Sequence, residues 1–230
     1  MKSKSLALTL LSSLLFVAAS FGVSAHAATN WVEGKHYFDI RPAQPVSVPK
    51  GQVEVVEVFS YGCPACMAFY PTADKLKAAL PKNAKMKYIP ASWNAAEQWP
   101  LFQRAYLTAQ ALGVADKTHN AMFNAIWNSD ELAVVDRATN RIKKNPPTLE
   151  KVAAFYARTA GVDQAQFIST AKSFGIVSQM KNADAVIKLY RAESTPTLIV
   201  QGKYRLTAQS AGDADQLIAL VKHLVALETK

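Results

Sequence analysis

Val53-Glu54-Val55-Val56-Glu57-Val58-Phe59, then Ser60-Tyr61-Gly62, then Cys63-Pro64-Ala65-Cys66 is the run around which this chain organises itself. Its first seven residues are β-branched and mostly apolar, the pattern of a buried strand. Ser60-Tyr61-Gly62 ends that strand. A helix is predicted to follow, with Pro64 in its first turn, where a missing N–H costs nothing. Phe69, Ala73, Leu76 and Leu80 continue at helical spacing. Cys63 and Cys66 are the only two cysteines among 230 residues, so they belong to no larger disulfide framework. A bridge across two residues closes too small a loop to remove much unfolded-state entropy. The pair therefore reads as redox-active, trading a disulfide with other proteins outside the cytosol. A zinc half-site is the weaker alternative, because no second Cys or His pair has ligand spacing.

The start of the chain bears on the compartment. Lys2 and Lys4 precede an apolar run from Leu6 to Ala19, and Ala25-His26-Ala27 has the small-x-small cleavage pattern. Residues 1–27 are expected to be a signal peptide cut after Ala27. An exported protein lives where disulfides persist. The net charge of +9 falls to +7 once Lys2 and Lys4 leave. The basic residues are scattered, with Arg141-Ile142-Lys143-Lys144 the one dense cluster, read as a solvated helix end rather than a nucleic-acid patch. No nucleic acid and no metal are expected as partners, and a monomer is expected.

Further along, three prolines interrupt Arg41 to Pro49, an extended connector. Lys85 to Ile89 reads as a second strand, parallel to the first by the β-helix-β rule. From Asn94 to Phe174 no strand signal is read. Leu101–Leu112, Ala121–Trp127 and Leu149–Ala160 are expected helices, the last capped by Thr148 and ended by Gly161. Asp163 begins another, with Gln166 as capping-box partner. Ile176 to Ala192 is helical in period. Thr197–Val200 is a strand, Gln201-Gly202-Lys203 a turn, and Tyr204–Thr207 the return strand of a hairpin. Leu217–Leu227 is a final amphipathic helix.

That order, with Cys-x-x-Cys at the first strand-to-helix junction, resembles the thioredoxin fold, and the helical insert narrows the resemblance to the DsbA family of periplasmic thiol–disulfide oxidoreductases. The motifs that carry it are Gly34-Lys35-x-Tyr37, Glu57 to Cys66, Ala111-Leu112-Gly113-Val114, Thr195-Pro196-Thr197 and Gly202-Lys203-Tyr204. The resemblance implies an α/β, thioredoxin-like fold: a central mixed sheet flanked by helices, with an inserted all-helical subdomain. The expected organisation is 28–93 as the first part of the thioredoxin-like domain, 94–175 as the insertion and 176–230 as the second part. One position departs from the pattern. Well-known members carry histidine between the cysteines after the proline, and Ala65 stands there.

The resemblance also assigns roles. Cys63, at a helix start where unpaired N–H groups favour a negative sulfur, is the nucleophile, and Cys66 resolves. Pro64 and Ala65 tune the pair. Thr195-Pro196 is a cis bond against the disulfide, with the Thr195 hydroxyl facing Cys63 and Thr195 contacting substrate. Glu57 lies under Cys66, where burial raises its pKa and lets it relay a proton. Lys87 is its expected ion-pair partner, while Glu54 is expected to face solvent. Tyr61, with Phe59, Tyr70 and Trp93, is a candidate for an apolar substrate-binding surface. His36, His119 and His223 have no catalytic constellation. The implied activity is the introduction of disulfides into reduced, unfolded, exported proteins, without a bound cofactor, followed by reoxidation by a DsbB-like membrane partner. The rivals are a periplasmic reductase or isomerase, and a non-catalytic binding protein or chaperone.

Overall fold

The computed structural model describes residues 30–229; the expected leader and its cleavage site lie outside them. At the centre is β2 (Val53–Phe59), with all seven residues buried. It is buried because it is covered on both faces and paired on both edges, which is what its run of valines suits. On one edge it runs parallel to β3 (Ala84–Pro90), with Val56 opposite Lys87 and Glu57 opposite Tyr88. On the other it runs antiparallel to β6 (Thr197–Val200), which pairs with β7 (Tyr204–Leu206). A short β1 (Phe38–Asp39) completes a mixed five-stranded sheet in the order β1-β7-β6-β2-β3. The β6–β7 turn needs Gly202: its φ is +62°, and a Cβ there would lie 2.3 Å from the Gln44 carbonyl oxygen.

One face of the sheet is covered by α1 (Pro64–Ala79) and α8 (Ala214–Leu227). Phe69, Ala73 and Leu76 meet Leu217, Leu220 and Leu224 over Val53, Val55, Leu198 and Val200. Leu76 is fully buried, which stabilises the fold by about 2 kcal/mol. The other face packs against α2 (Trp99–Ala111), α3 (Ala115–Trp127), α4 (Leu149–Ala160), α5 (Gln164–Ala171) and α6 (Phe174–Leu189). Thr148 and Asp163 cap α4 and α5 by accepting from the Lys151 and Gln166 backbone N–H groups. Gln166 thus contributes its backbone rather than its side chain. A short α7 (Ala208–Ala211) carries the reciprocal capping box, between Thr207 and Ser210. Among the described residues no helix is long and apolar enough to cross a membrane.

The insertion is not wholly helical. Between α3 and α4 a small hairpin joins β4 (Val135–Asp136) to β5 (Arg141–Ile142), so the basic cluster at 141–144 begins in a strand and not at a helix end. Two-residue strands are too short to show alternation. The hairpin's turn is written instead in Asp136, which accepts from Ala138 N, Thr139 N and Thr139 Oγ1, and in Asn140 at φ 52°.

Candidate active site

The turn leaving β2 is held from several sides. Cys63 N donates to Ser60 O at 3.1 Å, and Gly62 N to Ser60 Oγ at 3.2 Å. Trp127 Nε1, from the end of α3, donates to the Tyr61 carbonyl at 2.7 Å. Gly62 packs so closely on Trp99 that any side chain there would meet the indole at 2.7 Å. The chain then enters α1 with Cys63 as its extended N-cap and Pro64 in its first turn. Cys66 follows one turn later, on the buried face of the helix.

Both cysteines are thiols here. Cys66 is fully buried, Cys63 is 7% exposed, and Pro64 and Ala65 face solvent. In its thiol form Cys63 Sγ donates to the Thr195 carbonyl at 3.4 Å, and the Thr195–Pro196 bond is cis. The two thiols are driven apart in acidity. A hydrogen bond from Cys66 is the main cause that brings the Cys63 pKa down to about 6. Burial opposes this, while the Thr195 side chain and the N–H groups of Cys66 and Ala65 assist. Burial pushes Cys66 strongly upward, and its neighbour Cys63 and the Glu57 charge add to the push. At neutral pH one sulfur is therefore an anion and the other a protonated thiol. Ala65 takes no part through its side chain. The low pKa arises from the helix start and the second cysteine instead.

Glu57 sits on the α1 side of β2, 2% exposed, and its Oε2 has no hydrogen-bond partner among the described residues. Burial, then the charges of Asp74 and Cys63, raise its pKa to about 8. Lys87 is not its partner. Lys87 stands opposite Val56, so the alternation of the strands turns it to the face that Glu54 shares. Its Nζ lies 2.9 Å from Glu54 Oε2. Glu54 does not face solvent either: it is 3% exposed and also accepts from Ser47 N at 3.1 Å and Ser47 Oγ at 2.7 Å.

Tyr61 does not line a surface. It is buried beside Phe59 in an aromatic cluster, its hydroxyl 3.0 Å from His119 Nδ1. Of the other aromatics, Tyr70 is half-buried and stacked on Phe123, and Trp93 is exposed near Trp99. His119 was not legible as a partner of the active-site turn. The only signal was its helical spacing with Met122 and Phe123. Burial, then the Lys77 charge, hold its pKa down near 4, so it is neutral. Among the described residues no group of three or more His, Cys, Asp or Glu side chains is placed to hold a metal ion.

Comparison with known proteins agrees with this geometry. A family model described as thioredoxin matches residues 48–220. The thiol:disulfide interchange protein DsbA of Pseudomonas aeruginosa is 35% identical over 219 residues, covering 95% of each chain. The crystal structure of Pseudomonas aeruginosa DsbA superposes with a TM-score of 0.72 at 34% identity, covering 87% of this chain and 96% of that one. The oxidoreductase DsbA from Xylella fastidiosa gives 0.74 at 30% identity, covering 86% and 97%.

Proposed function

Since the chain belongs to the DsbA family of thiol:disulfide interchange proteins, and is a dithiol–disulfide oxidoreductase that forms disulfides in other proteins, we propose that Cys63 is the sulfur its substrates attack and that Glu57 serves Cys66. In the oxidised enzyme a substrate thiolate attacks Cys63 Sγ. The Cys63–Cys66 bond breaks, a mixed disulfide forms, and Cys66 departs with the electron pair. Its raised pKa demands a proton, which Glu57, protonated up to about pH 8, is suited to supply. A second substrate thiolate then attacks the substrate sulfur of the mixed disulfide and expels Cys63 as a thiolate. The low pKa of Cys63 makes that departure fast. Two electrons have moved from substrate to enzyme, and the substrate leaves with a new disulfide.

The single observation that carries this reading is the placement of Cys63 at the start of α1 against the cis Thr195–Pro196 segment, with Cys66 fully buried one turn further on. The Thr195–Pro196 segment, whose carbonyl contacts Cys63, is the edge on which an extended substrate would lie, because Pro196 has no N–H to compete for the neighbouring backbone. The substrates are reduced proteins reaching the periplasm, where the leader on residues 1–27 directs the chain. A DsbB-like membrane protein restores the disulfide. The cysteine pair is itself the redox group, no bound cofactor is needed, and the chain acts as a monomer. The test is oxidation of a reduced, unfolded protein by the oxidised mature chain. Cys63→Ser and Cys66→Ser, neither of which can form the disulfide that the substrate thiolate attacks, are both expected to abolish it. Full activity in Cys63→Ser would overturn the assignment in favour of a binding protein.

A further inference from the structure

Beside the catalytic turn, on the side of the helical insertion, lies a cleft of about 330 Å³ that includes Gly62. Ile126, Trp127 and Val134 supply its apolar wall, and Glu97, Arg137 and Asn140 are its polar residues. It lies at the small end of the ~300–1,000 Å³ range of ligand sites, a size for one or two side chains rather than a folded partner. Its wall is continuous with the catalytic machinery, because the Trp127 indole that lines it also holds the Tyr61 carbonyl.

The far side is the β4–β5 hairpin, which is built to stay in place. Lys143 N donates to Val134 O at 2.8 Å, and Leu132 N to Ala125 O at 2.9 Å. Lys143 pairs with Asp130 at 2.7 Å, and Arg158 pairs with Glu131. Asp136 is committed to the turn it caps. Of the two charged residues that line the cleft, Arg137 stands on the hairpin edge and Glu97 on the opposite, insertion side, and neither enters an ion pair among the described residues.

The geometry points to this cleft as a second substrate subsite, taking an apolar side chain close in sequence to the substrate cysteine, with Arg137 favouring an acidic neighbour. This rests on the reading of Cys63 as the attacked sulfur. The argument is one of reach. Gly62 adjoins Cys63, with Cα atoms ~3.8 Å apart, and an extended chain advances ~3.3–3.6 Å per residue. A substrate joined to Cys63 therefore has the cleft within reach of its next one to three residues. The occupant is the substrate polypeptide because the cleft borders Gly62, the residue next to the reacting Cys63, and Arg137 on its hairpin edge can meet an acidic residue of the segment.

The experiment uses the oxidised mature chain and synthetic dithiol peptides carrying leucine two residues from one cysteine, flanked by Asp-Asp or by Lys-Lys. Wild type is expected to favour the acidic peptide in kcat/KM. Arg137→Glu is expected to shift the acidic-to-basic ratio by about fivefold toward the basic peptide. Val135→Asp, also in the lining, is expected to remove the preference for leucine over serine at that position. Oxidation of dithiothreitol, too small to reach the cleft, should be unchanged in both variants. An unchanged peptide ratio in Arg137→Glu overturns the subsite, as does a slowing confined to reoxidation by quinone-containing membranes, which would assign the cleft to the reoxidant. A wild type unable to oxidise dithiothreitol would overturn the underlying reading of Cys63 and this proposal with it.

Discussion

Glu54 and Glu57 stand three residues apart on one strand and are buried alike, yet they face opposite sides of the sheet and have opposite surroundings. Glu54 meets Ser47 and Lys87, and its charge is answered where it lies. Glu57 meets the underside of α1, has an oxygen without a partner among the described residues, and holds its proton to about pH 8. Burial does not decide what a carboxylate does. The partners on its face decide: one face of β2 holds a paired carboxylate, the other a carboxylate whose burial favours its protonated form.

The sharpest way to break this comparison is to remove the charge of Glu57 without changing its shape. Its folded pKa is raised from 4.5 to about 8 with both cysteines as thiols. A raised acid gives its full stability below the unfolded value and loses it as pH climbs through the folded one. Wild type should match Glu57→Gln below about pH 4.5 and fall behind it as pH rises through 8, by on the order of 5 kcal/mol at the upper end. Denaturant unfolding of both proteins in the reduced form is the measurement. Cys63 and His119 are present in both proteins. In the oxidised form the Cys63 charge, the last of the causes, is absent, and the fall should come at somewhat lower pH. A difference that stays flat with pH would mean that Glu57 is ionised in the fold.

Much of this architecture could be read locally, and the failures share one cause. The valine run, Pro64 at a helix start, Thr148 before a helix and Thr197–Val200 as a strand each depend on a few neighbouring residues, and each stands where it was expected. The partner of Glu57 depended on register. A spacing of three puts Glu54 and Glu57 on opposite faces, but only the pairing of Val56 with Lys87 says which of them the lysine joins. Tyr61 reads as surface beside a Gly-Cys turn until α3 brings His119 and Trp127 over it. The hairpin at 135–142 and β1 at 38–39 are too short for periodicity to register. At the site, the cysteines and the proline of Thr195-Pro196 announced themselves by spacing and motif. The cleft did not, because its lining comes from segments that no sequence interval connects.

The Glu54 side of the comparison is tested by Lys87→Met. Removing one partner of a buried pair costs ~3–5 kcal/mol when both are enclosed. The Lys87 side chain is 38% exposed, so water can take its place at Glu54, and a loss of about 1–2 kcal/mol is expected. That corresponds to a fall of roughly 3–6 °C in Tm for a domain of this size. The rate of dithiol oxidation per folded molecule, and the Cys63 titration near pH 6, should not move. A shift in either would tie the Glu54 face to the thiols and erase the division of labour between the two sides of β2.

The smallest effect isolates the role of Ser47. Its hydroxyl donates to Glu54 Oε2 at 2.7 Å and also receives Lys87 Nζ, so it connects the two charged groups. Ser47→Ala leaves the backbone donor at 3.1 Å and the lysine in place. Glu54 therefore keeps its lysine and its backbone donor, and a loss of about 1 kcal/mol is expected, that of one hydrogen bond removed from a site that remains satisfied. The rate of dithiol oxidation per folded molecule should not change, in contrast to a change on the Glu57 side of β2. A loss as large as that of Lys87→Met would show that the serine holds the Glu54 carboxylate as much as the lysine does, because its hydroxyl touches both charged groups.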